Sequence, residues 1–391
     1  MNIKLKVAMA IAAAVLVAGC GGGGGIGGTG SPVATGTLRT SLTDAPSCGY
    51  DAVNVTIQKV RVHQSASATD TDTGWSEIVL SPARRVNLLT LTNGVLEELG
   101  QTSLPSGKYT QLRLVLAEND GANPLANSVT PTGGTETALA TPSAEQTGLK
   151  LNVDINVEAD KIADVVLDFN ACKSVVRRGN SGKYSLKPVI VAFPILSDAG
   201  LRVVGYLDPS IALPTTSVSV QSRGVPVKAT VPDTTGKFVL YPVPAGNYDL
   251  IVTSAGHVTA VMTAVPVTTT SFTTVSSSAL PIAVPVAILL NVSGTVTPAT
   301  ATVRALQTLT GGSTAEISWG AVDGTTGAFT FALPIAAPVK TSYVANPVSL
   351  NFVADSTVAA KYTLEANSGG AIKTQAIDVA APVRAVTFTF P

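Results

Sequence analysis

The stretch LKLNVDINV at Leu149–Val157 decides the fold class, because apolar and polar residues alternate along its whole length. A period of two places Leu151 and Ile155 on one face and Asp154 on the other, as in a strand with one buried face. The same alternation recurs in short stretches bounded by turn residues, at 37–42, 53–62 and 109–116. The pattern predicts an all-β chain built from tandem antiparallel β-sandwiches.

Composition supports this prediction and excludes one class of partner. Valine, threonine, alanine, glycine and proline dominate the chain, a mixture that favours short strands and turns over helices. Charged residues make up 13% of the sequence and the formal net charge is +0. Because nucleic-acid binding requires a basic patch, we expect no nucleic-acid partner. We also expect no electrostatic attachment to an anionic membrane surface.

The first residues of the chain are typical of an export signal. Lys4 and Lys6 precede an apolar run at 7–17 that is too short to span a bilayer as a helix. The run ends in VAGC at 17–20, which resembles the lipobox of bacterial lipoproteins. The resemblance implies cleavage before Cys20 and attachment of acyl chains, palmitate among them, to that residue. The alternative is an ordinary secretory signal with a chance cysteine, although no A-x-A cleavage site is present.

Changes in composition divide the chain into five segments. We expect a lipoprotein signal peptide at 1–19, a flexible glycine-rich tether at 20–34, and sandwich domains at 35–197, 198–286 and 287–391. Gly21 follows the cysteine where an aspartate would signal retention in the inner membrane. We therefore expect a lipid anchor in the bacterial cell envelope, in its outer membrane.

Four strings in the first domain carry a family resemblance. They are LTDAP at 42–46, LPSGKYTQLRL at 104–114, VLDFNACKS at 166–174 and LKP at 186–188. In this order they resemble a bacterial envelope family, the domain of unknown function numbered 4382. The resemblance implies a location and an architecture, and it supplies no activity.

The second domain has a different signature. It contains VVGY at 203–206, DTTGKF at 233–238 and VPAGNYDL at 243–250, and it is similar to the carboxypeptidase regulatory-like, transthyretin-like sandwiches of seven strands. We expect Asp-Thr-Thr-Gly to form a hairpin and Tyr248 to pack under the turn at 244–246. The first domain repeats this device at 105–109. The third domain is expected to lack it, with 336–340 and 361–362 as weak substitutes.

The two cysteines beyond the lipobox suggest a disulfide. Cys48 and Cys172 form an even pair in a compartment that we expect to be oxidising. The alternative is a catalytic or metal-binding cysteine. His63 and His257 fall in different predicted domains, which argues against a Cys-His nucleophile.

No constellation in the sequence indicates catalysis, a metal or a cofactor. The carboxylate pairs Asp154/Glu158 and Asp164/Asp168 have strand spacing, which is more typical of a solvated face or an ion pair than of acid/base chemistry. We expect the partner of Asp168 to be Lys173 or Arg177. The run at 70–74 begins like a calcium loop but lacks the later acidic ligands.

Three side chains are candidates for ligand contact. Trp75 is either a core residue or a surface that stacks on a sugar ring. Asp44 would offer oxygen ligands if its loop meets Glu118, Asn119 and Asp120, and Asp168 lies in the family string. We expect a non-enzymatic envelope lipoprotein that presents binding modules for adhesion or envelope assembly. The alternatives are a carbohydrate-binding accessory protein of a polysaccharide system and, last, a cryptic hydrolase.

Overall fold

The computed structural model describes residues 34–44, 49–195, 200–211, 215–320, 322–381 and 385–391. Strands dominate these ranges, and the prediction of an all-β chain of sandwiches is confirmed. The signal peptide, Cys20 and nearly all of the tether lie outside the described residues. Residues 34–391 form one compact unit. Within the described ranges, no helix is both long and apolar enough to cross a bilayer.

The first sandwich contains twelve strands and two short helices. Its smaller sheet has the order β12-β9-β1-β4, and its larger sheet has the order β10-β11-β7-β6-β2-β5-β8, with β3 paired to β2. The elements are β1 (Thr35–Asp44), β2 (Tyr50–His63), β3 (Ser76–Asn87), β4 (Glu97–Pro105), β5 (Gly107–Leu116), β6 (Ser128–Pro131), β7 (Thr137–Ala140), α1 (Pro142–Gln146), β8 (Leu149–Val157), β9 (Ile162–Phe169), α2 (Ala171–Ser174), β10 (Val175–Arg178), β11 (Lys183–Leu186) and β12 (Ile190–Ile195).

Alternation along these strands builds the core between the two sheets. Leu38 on β1, Leu112 on β5 and Phe169 on β9 are each fully buried and belong to one apolar cluster. In β8, the strand with the cleanest pattern, Leu151 and Ile155 join this cluster and the polar residues between them are exposed. Most strand pairs are antiparallel, but β1 pairs with β9 in parallel.

The second sandwich has seven strands around its own core. Its sheets have the orders β16-β13-β19 and β15-β14-β17-β18. The strands are β13 (Val203–Tyr206), β14 (Ser217–Ser222), β15 (Val225–Thr230), β16 (Lys237–Leu240), β17 (Gly246–Thr253), β18 (Ala260–Val267) and β19 (Thr273–Thr274). Phe238 and Leu240, which alternate with polar or half-buried residues on β16, are completely buried.

The third sandwich repeats the plan of the second strand for strand. Its sheets have the orders β23-β20-β28 and β22-β21-β26-β27. The seven strands are β20 (Leu289–Thr297), β21 (Thr302–Thr308), β22 (Thr314–Gly320), β23 (Ala328–Pro334), β26 (Lys361–Ser368), β27 (Ala371–Asp378) and β28 (Val386–Thr389). Two further strands, β24 (Val339–Ser342) and β25 (Val353–Ala354), lie between β23 and β26 in the chain. Three 3₁₀ turns lie at Leu88–Thr90, Pro209–Ile211 and Ser356–Val358.

Two glycines mark the equivalence of the second and third sandwiches. Gly236 and Gly327 both have positive φ, at 83° and 71°. A Cβ on either would lie 2.1 Å from a backbone oxygen, that of Leu207 or that of Val296. Only glycine fits such a turn, because it combines a left-handed backbone with no room for a side chain. The same hairpin therefore precedes β16 and β23.

A strap of two strands crosses from the third sandwich to the second. β24 pairs in parallel with β18, and β25 pairs with β24. The strap extends the four-stranded sheet of the second sandwich to six strands, although the sequence-based boundaries place it in the third domain. It lies between β23 and β26, at the position of the short turn between β16 and β17. An insertion in the repeat thus covers the edge strand of its neighbour.

A tyrosine closes each sandwich at the same kind of corner. The hydroxyl of Tyr109 donates to the Pro105 carbonyl at 3.1 Å, and that of Tyr248 donates to the Pro244 carbonyl at 2.9 Å. Tyr362 donates to the Pro334 carbonyl at 2.7 Å. The expectation that the third sandwich lacks the device was therefore wrong, and Tyr362, expected only as part of a weak substitute, supplies its tyrosine. The strap separates its proline from its tyrosine in sequence and hides the pattern.

Candidate functional site

Asp168 forms a buried ion pair that joins the first two sandwiches. Its Oδ1 lies 2.7 Å from the Nζ of Lys228 on β15, and the two side chains are 8% and 1% exposed. Burial raises the pKa of Asp168, and the ammonium of Lys228 opposes that rise. The partners expected from sequence, Lys173 and Arg177, are not the ones used, because Lys228 reaches Asp168 from a different sandwich.

Asp44 is also buried and holds backbone in place. Its Oδ1 accepts a hydrogen bond from the amide of Ala171 at 2.8 Å, so that the end of β1 is tied to the start of α2. Asn119 donates instead to the carbonyls of Asn127 and Leu139. In the part of the chain that the structure describes, no group of three His, Cys, Asp or Glu side chains is placed to hold a metal ion.

Trp75 is held by its own sandwich. The guanidinium carbons of Arg61 and Arg113 lie 4.5 and 5.1 Å from the ring centroid, and the His63 ring lies 5.1 Å away. The indole Nε1 donates to the Thr69 carbonyl at 2.9 Å. These contacts fasten the loop at 64–75 onto the sheet. Trp75 is therefore half-buried, engaged by its own sandwich through its ring and its indole N–H, and it lies outside the core.

The other sequence candidates for chemistry pair locally. Asp154 contacts Lys108 at 3.0 Å, and Asp164 contacts Arg39 at 2.5 Å. Asp72, in the run that begins like a calcium loop, accepts from Thr69, and these hydrogen bonds lower the pKa of its carboxyl. Cys48 lies outside the described residues, so its pairing with Cys172 stays a prediction.

A cleft of about 1000 Å³ opens where the three sandwiches meet, and we call it the junction cleft. All three sandwiches contribute to its walls. The walls include Asp51 and Lys173 from the first sandwich, Ser217 and Thr253 from the second, and Glu316, Ser318 and Trp319 from the third. The cleft exists because these sandwiches pack on each other and leave a gap between them.

Paired backbone and side-chain contacts fix the floor of the junction cleft. The side-chain amide of Gln221 on β14 donates to the carbonyl of Glu316 at 3.0 Å and accepts from its amide at 2.7 Å. Beside these bonds, Ile251, Val261 and Ala315 form a small buried apolar cluster between the second and third sandwiches. The walls are therefore held by a specific polar contact as well as by burial.

An ion-pair network crosses the cleft wall. Glu316 is bonded to Lys173 on α2 and lies 3.3 Å from Arg304, which also contacts Glu365 at 2.8 Å. Two cations and two carboxylates thus neutralise one another. Sequence reasoning noted Lys173 but gave no hint of Glu316, since 143 positions separate the two residues.

Trp319 differs from Trp75 in what it touches. It is half-buried in the cleft wall, with the Nζ of Lys173 5.7 Å from its ring centroid. Within the described ranges its Nε1 hydrogen donates to no protein group. The hydroxyls of Ser217, Thr253 and Ser318 likewise make no hydrogen bond to the described protein. The cleft therefore offers an indole and several polar hydrogens to a ligand.

Comparison with known proteins bears on the first sandwich. Residues 35–188 match the model of a family described as a domain of unknown function, DUF4382. The resemblance expected for this part of the chain is confirmed. The resemblance expected for 198–286 and the lipoprotein anchor stay predictions. No curated protein matches the chain.

Several solved structures share limited similarity with the chain. A mutant type II cohesin–X-dockerin complex from Acetivibrio cellulolyticus is 26% identical over 22% of this chain and 59% of that chain, with a TM-score of 0.20. The Bacillus anthracis TIE protein is 12% identical, and the match covers 91% of this chain and 50% of that chain with a TM-score of 0.16. A streptococcal ancillary pilin is 10% identical, and the match covers 91% of this chain and 98% of that chain with a TM-score of 0.17. This chain thus spans less than two thirds of the first of these structures.

Proposed function

We propose that the chain is a non-enzymatic lipoprotein of the bacterial cell envelope that binds its ligand in the junction cleft. Acyl chains on Cys20 would anchor it, and the glycine-rich tether would separate the sandwiches from the membrane surface. The observation that carries the proposal is the cleft itself, where the Trp319 indole N–H and three hydroxyls make no hydrogen bond to the part of the chain that the structure describes. Adhesion or envelope assembly is the role that such a site serves.

The chemistry of the cleft supports binding over catalysis. Its buried acid, Glu316, is bonded to Lys173 and lies close to Arg304, so it is held as a paired carboxylate. A general base or nucleophile needs a lone pair directed at the substrate. The other groups open to a ligand are hydroxyls, an aromatic ring and the exposed carboxylate of Asp51, which accepts from the amide of Gly133.

The anchor is tested on protein from its native cells. Cells fed an alkyne analogue of palmitate are expected to label the chain, and Cys20→Ser is expected to abolish the label and release the protein from membranes. The outer-membrane fraction is expected to contain the labelled protein. An unmodified amino terminus in mass spectrometry would contradict the anchor.

The site is tested with the full chain extracted in detergent. Isolated peptidoglycan, extracellular polysaccharide and purified envelope proteins are titrated separately by calorimetry. We expect one of them to bind wild-type protein, to lose affinity with Trp319→Ala and to keep it with Trp75→Ala, the matched loss of an indole elsewhere. Binding that ignores Trp319 would show that the ligand uses another surface.

A further inference from the structure

The register of two strands arranges hydroxyl groups in a row on the cleft wall. Ser217 on β14 is the antiparallel partner of Thr253 on β17, so the two side chains lie side by side on one face of the sheet. Ser219 continues the row two residues along β14 and also lines the cleft. Apolar residues of the second core, Val218 and Val252, occupy the opposite face.

The third sandwich supplies the aromatic part of the site. Trp319 and Ser318 are neighbours on β22, and both line the cleft with Phe329 of β23. An indole with a free Nε1 hydrogen binds a flat apolar face and donates one hydrogen bond at its edge. A sugar ring presents this combination, because its axial C–H groups form an apolar face and its hydroxyls lie around the rim.

The charges of the cleft select against ions. Lys173 is neutralised by Glu316, so the described residues of the cleft lining leave no cation for a phosphate, sulfate or uronate. Asp51, at the cleft lining, is exposed and repels an anion. A cationic ligand would find only Asp51, since Glu316 is already paired on both oxygens. The complementary ligand is therefore uncharged and rich in hydroxyls.

We infer that the junction cleft binds a neutral oligosaccharide, with one ring against Trp319 and its hydroxyls bonded to Ser217, Thr253 and Ser318. The inference rests on the proposed function and names its ligand class. The cleft volume of about 1000 Å³ lies at the upper end of the range for ligand sites, about 300–1,000 Å³, which suits several linked rings better than one.

The test titrates the full chain in detergent with defined hexasaccharides by calorimetry. Neutral probes are the hexamers of glucose in β-1,4 and α-1,4 linkage, of xylose, of mannose and of N-acetylglucosamine. Anionic probes are hexamers of galacturonate and of hyaluronan. We expect at least one neutral hexamer to bind and the anionic hexamers to bind at least about tenfold more weakly.

Variants locate the binding. Trp319→Ala is expected to weaken it by about tenfold or more, since an aromatic contact and a hydrogen bond are lost together. Ser217→Ala with Thr253→Val removes the two hydroxyls at half-buried positions, so we expect the fold to be kept and the binding to weaken several-fold. Trp75→Ala is the control with unchanged affinity. Circular dichroism and the unfolding midpoint verify that each variant is folded.

Three outcomes would overturn the inference. They are no binding of any neutral hexamer, equal binding of the anionic hexamers, or affinity unchanged in both the Trp319 and the hydroxyl variants. The first of these outcomes, together with Trp319-dependent binding of a purified envelope protein, would show that the cleft binds a protein instead of a glycan. That last result would leave the proposed binding role of the cleft standing.

Discussion

Asp355 shows how one carboxyl organises the loop after β25. It accepts from the amide of Thr310 at 2.8 Å and from the hydroxyls of Thr310 and Thr357 at 2.7 and 2.9 Å. The Nζ of Lys340 lies 2.8 Å away, on the strap. The bond from Lys340, together with the threonine bonds, lowers the pKa of Asp355 well below its usual range, because each contact favours the ionised form.

This lowered pKa predicts a pH dependence of stability. A carboxyl whose pKa is lower in the folded state contributes stability that is complete above its unfolded pKa of about 4 and is lost as the pH falls toward its folded pKa. We expect Asp355→Asn to reduce the urea midpoint at pH 7. The difference in urea midpoint between the wild-type protein and the variant should become steadily smaller below about pH 4. A difference in urea midpoint that stays constant down to pH 2 would show that the charge of Asp355 does not cause the loss of stability.

The two tryptophans mark the limit of prediction from single residues. Alternation and turn residues predicted the strands around both, because those signals are local. They could not tell which indole lines the junction cleft. Trp75 is clamped by Arg61 and Arg113 from neighbouring strands, whereas Trp319 faces a gap that exists only after three sandwiches pack. The binding site is a property of that packing and has no pattern in the sequence.

At the scale of elements, the repeat of β13–β19 in β20–β28 rests on hairpin chemistry. In one hairpin the Asp233 carboxylate accepts from Thr235, and in the other the Asp323 carboxylate accepts from Thr325 and Thr326. The sequence motif predicted the first hairpin directly. The second was obscured because one extra residue separates its aspartate from its glycine. The strap also separates Tyr362 from Pro334 in sequence, so the rest of the repeat has no recognisable local pattern.

Glycine substitutions test this equivalence. Gly236→Ala and Gly327→Ala are each expected to destabilise the chain by about 1–3 kcal/mol or more, because the new Cβ meets a backbone oxygen and φ is positive. Gly256→Ala is the matched control. Its φ is +75° but its Cβ would meet nothing within 4 Å, so only the conformational cost of about 1 kcal/mol remains. Urea unfolding measures the free energy of unfolding of all three variants. A loss as large in Gly256→Ala as in the other two would contradict the close approach of a backbone oxygen at both hairpins.

At the scale of the whole molecule, polar contacts join the sandwiches into one unit. The Asn93 carboxamide oxygen accepts from the amide of Val239 at 2.5 Å, so a turn of the first sandwich docks on the second. Lys187 and Lys173 of the first sandwich reach Thr300 and Glu316 of the third. None of these pairs is close in sequence, and local patterns therefore predicted separate domains without predicting how they pack.

The ion pair between Asp168 and Lys228 is expected to stabilise this arrangement specifically. Lys228→Met leaves a buried carboxyl without its cation, and we expect a loss of about 3–5 kcal/mol in the free energy of unfolding. Lys228→Met combined with Asp168→Asn should recover part of that loss, since no uncompensated charge remains. A double-mutant cycle by urea unfolding measures the coupling. Additive losses would show that the two groups act independently.

The strap also delays completion of the sheet of the second sandwich during synthesis. A polypeptide that emerges amino-terminus first presents β18 long before Val339–Ala354 arrive to cover it, a delay on the order of ten seconds at ribosomal speed. Throughout that interval the open edge of β18 is a template for pairing with a nascent neighbour. A holding chaperone that recognises extended apolar chain would have its main task in this interval, and its absence would yield aggregates seeded at residues 260–267.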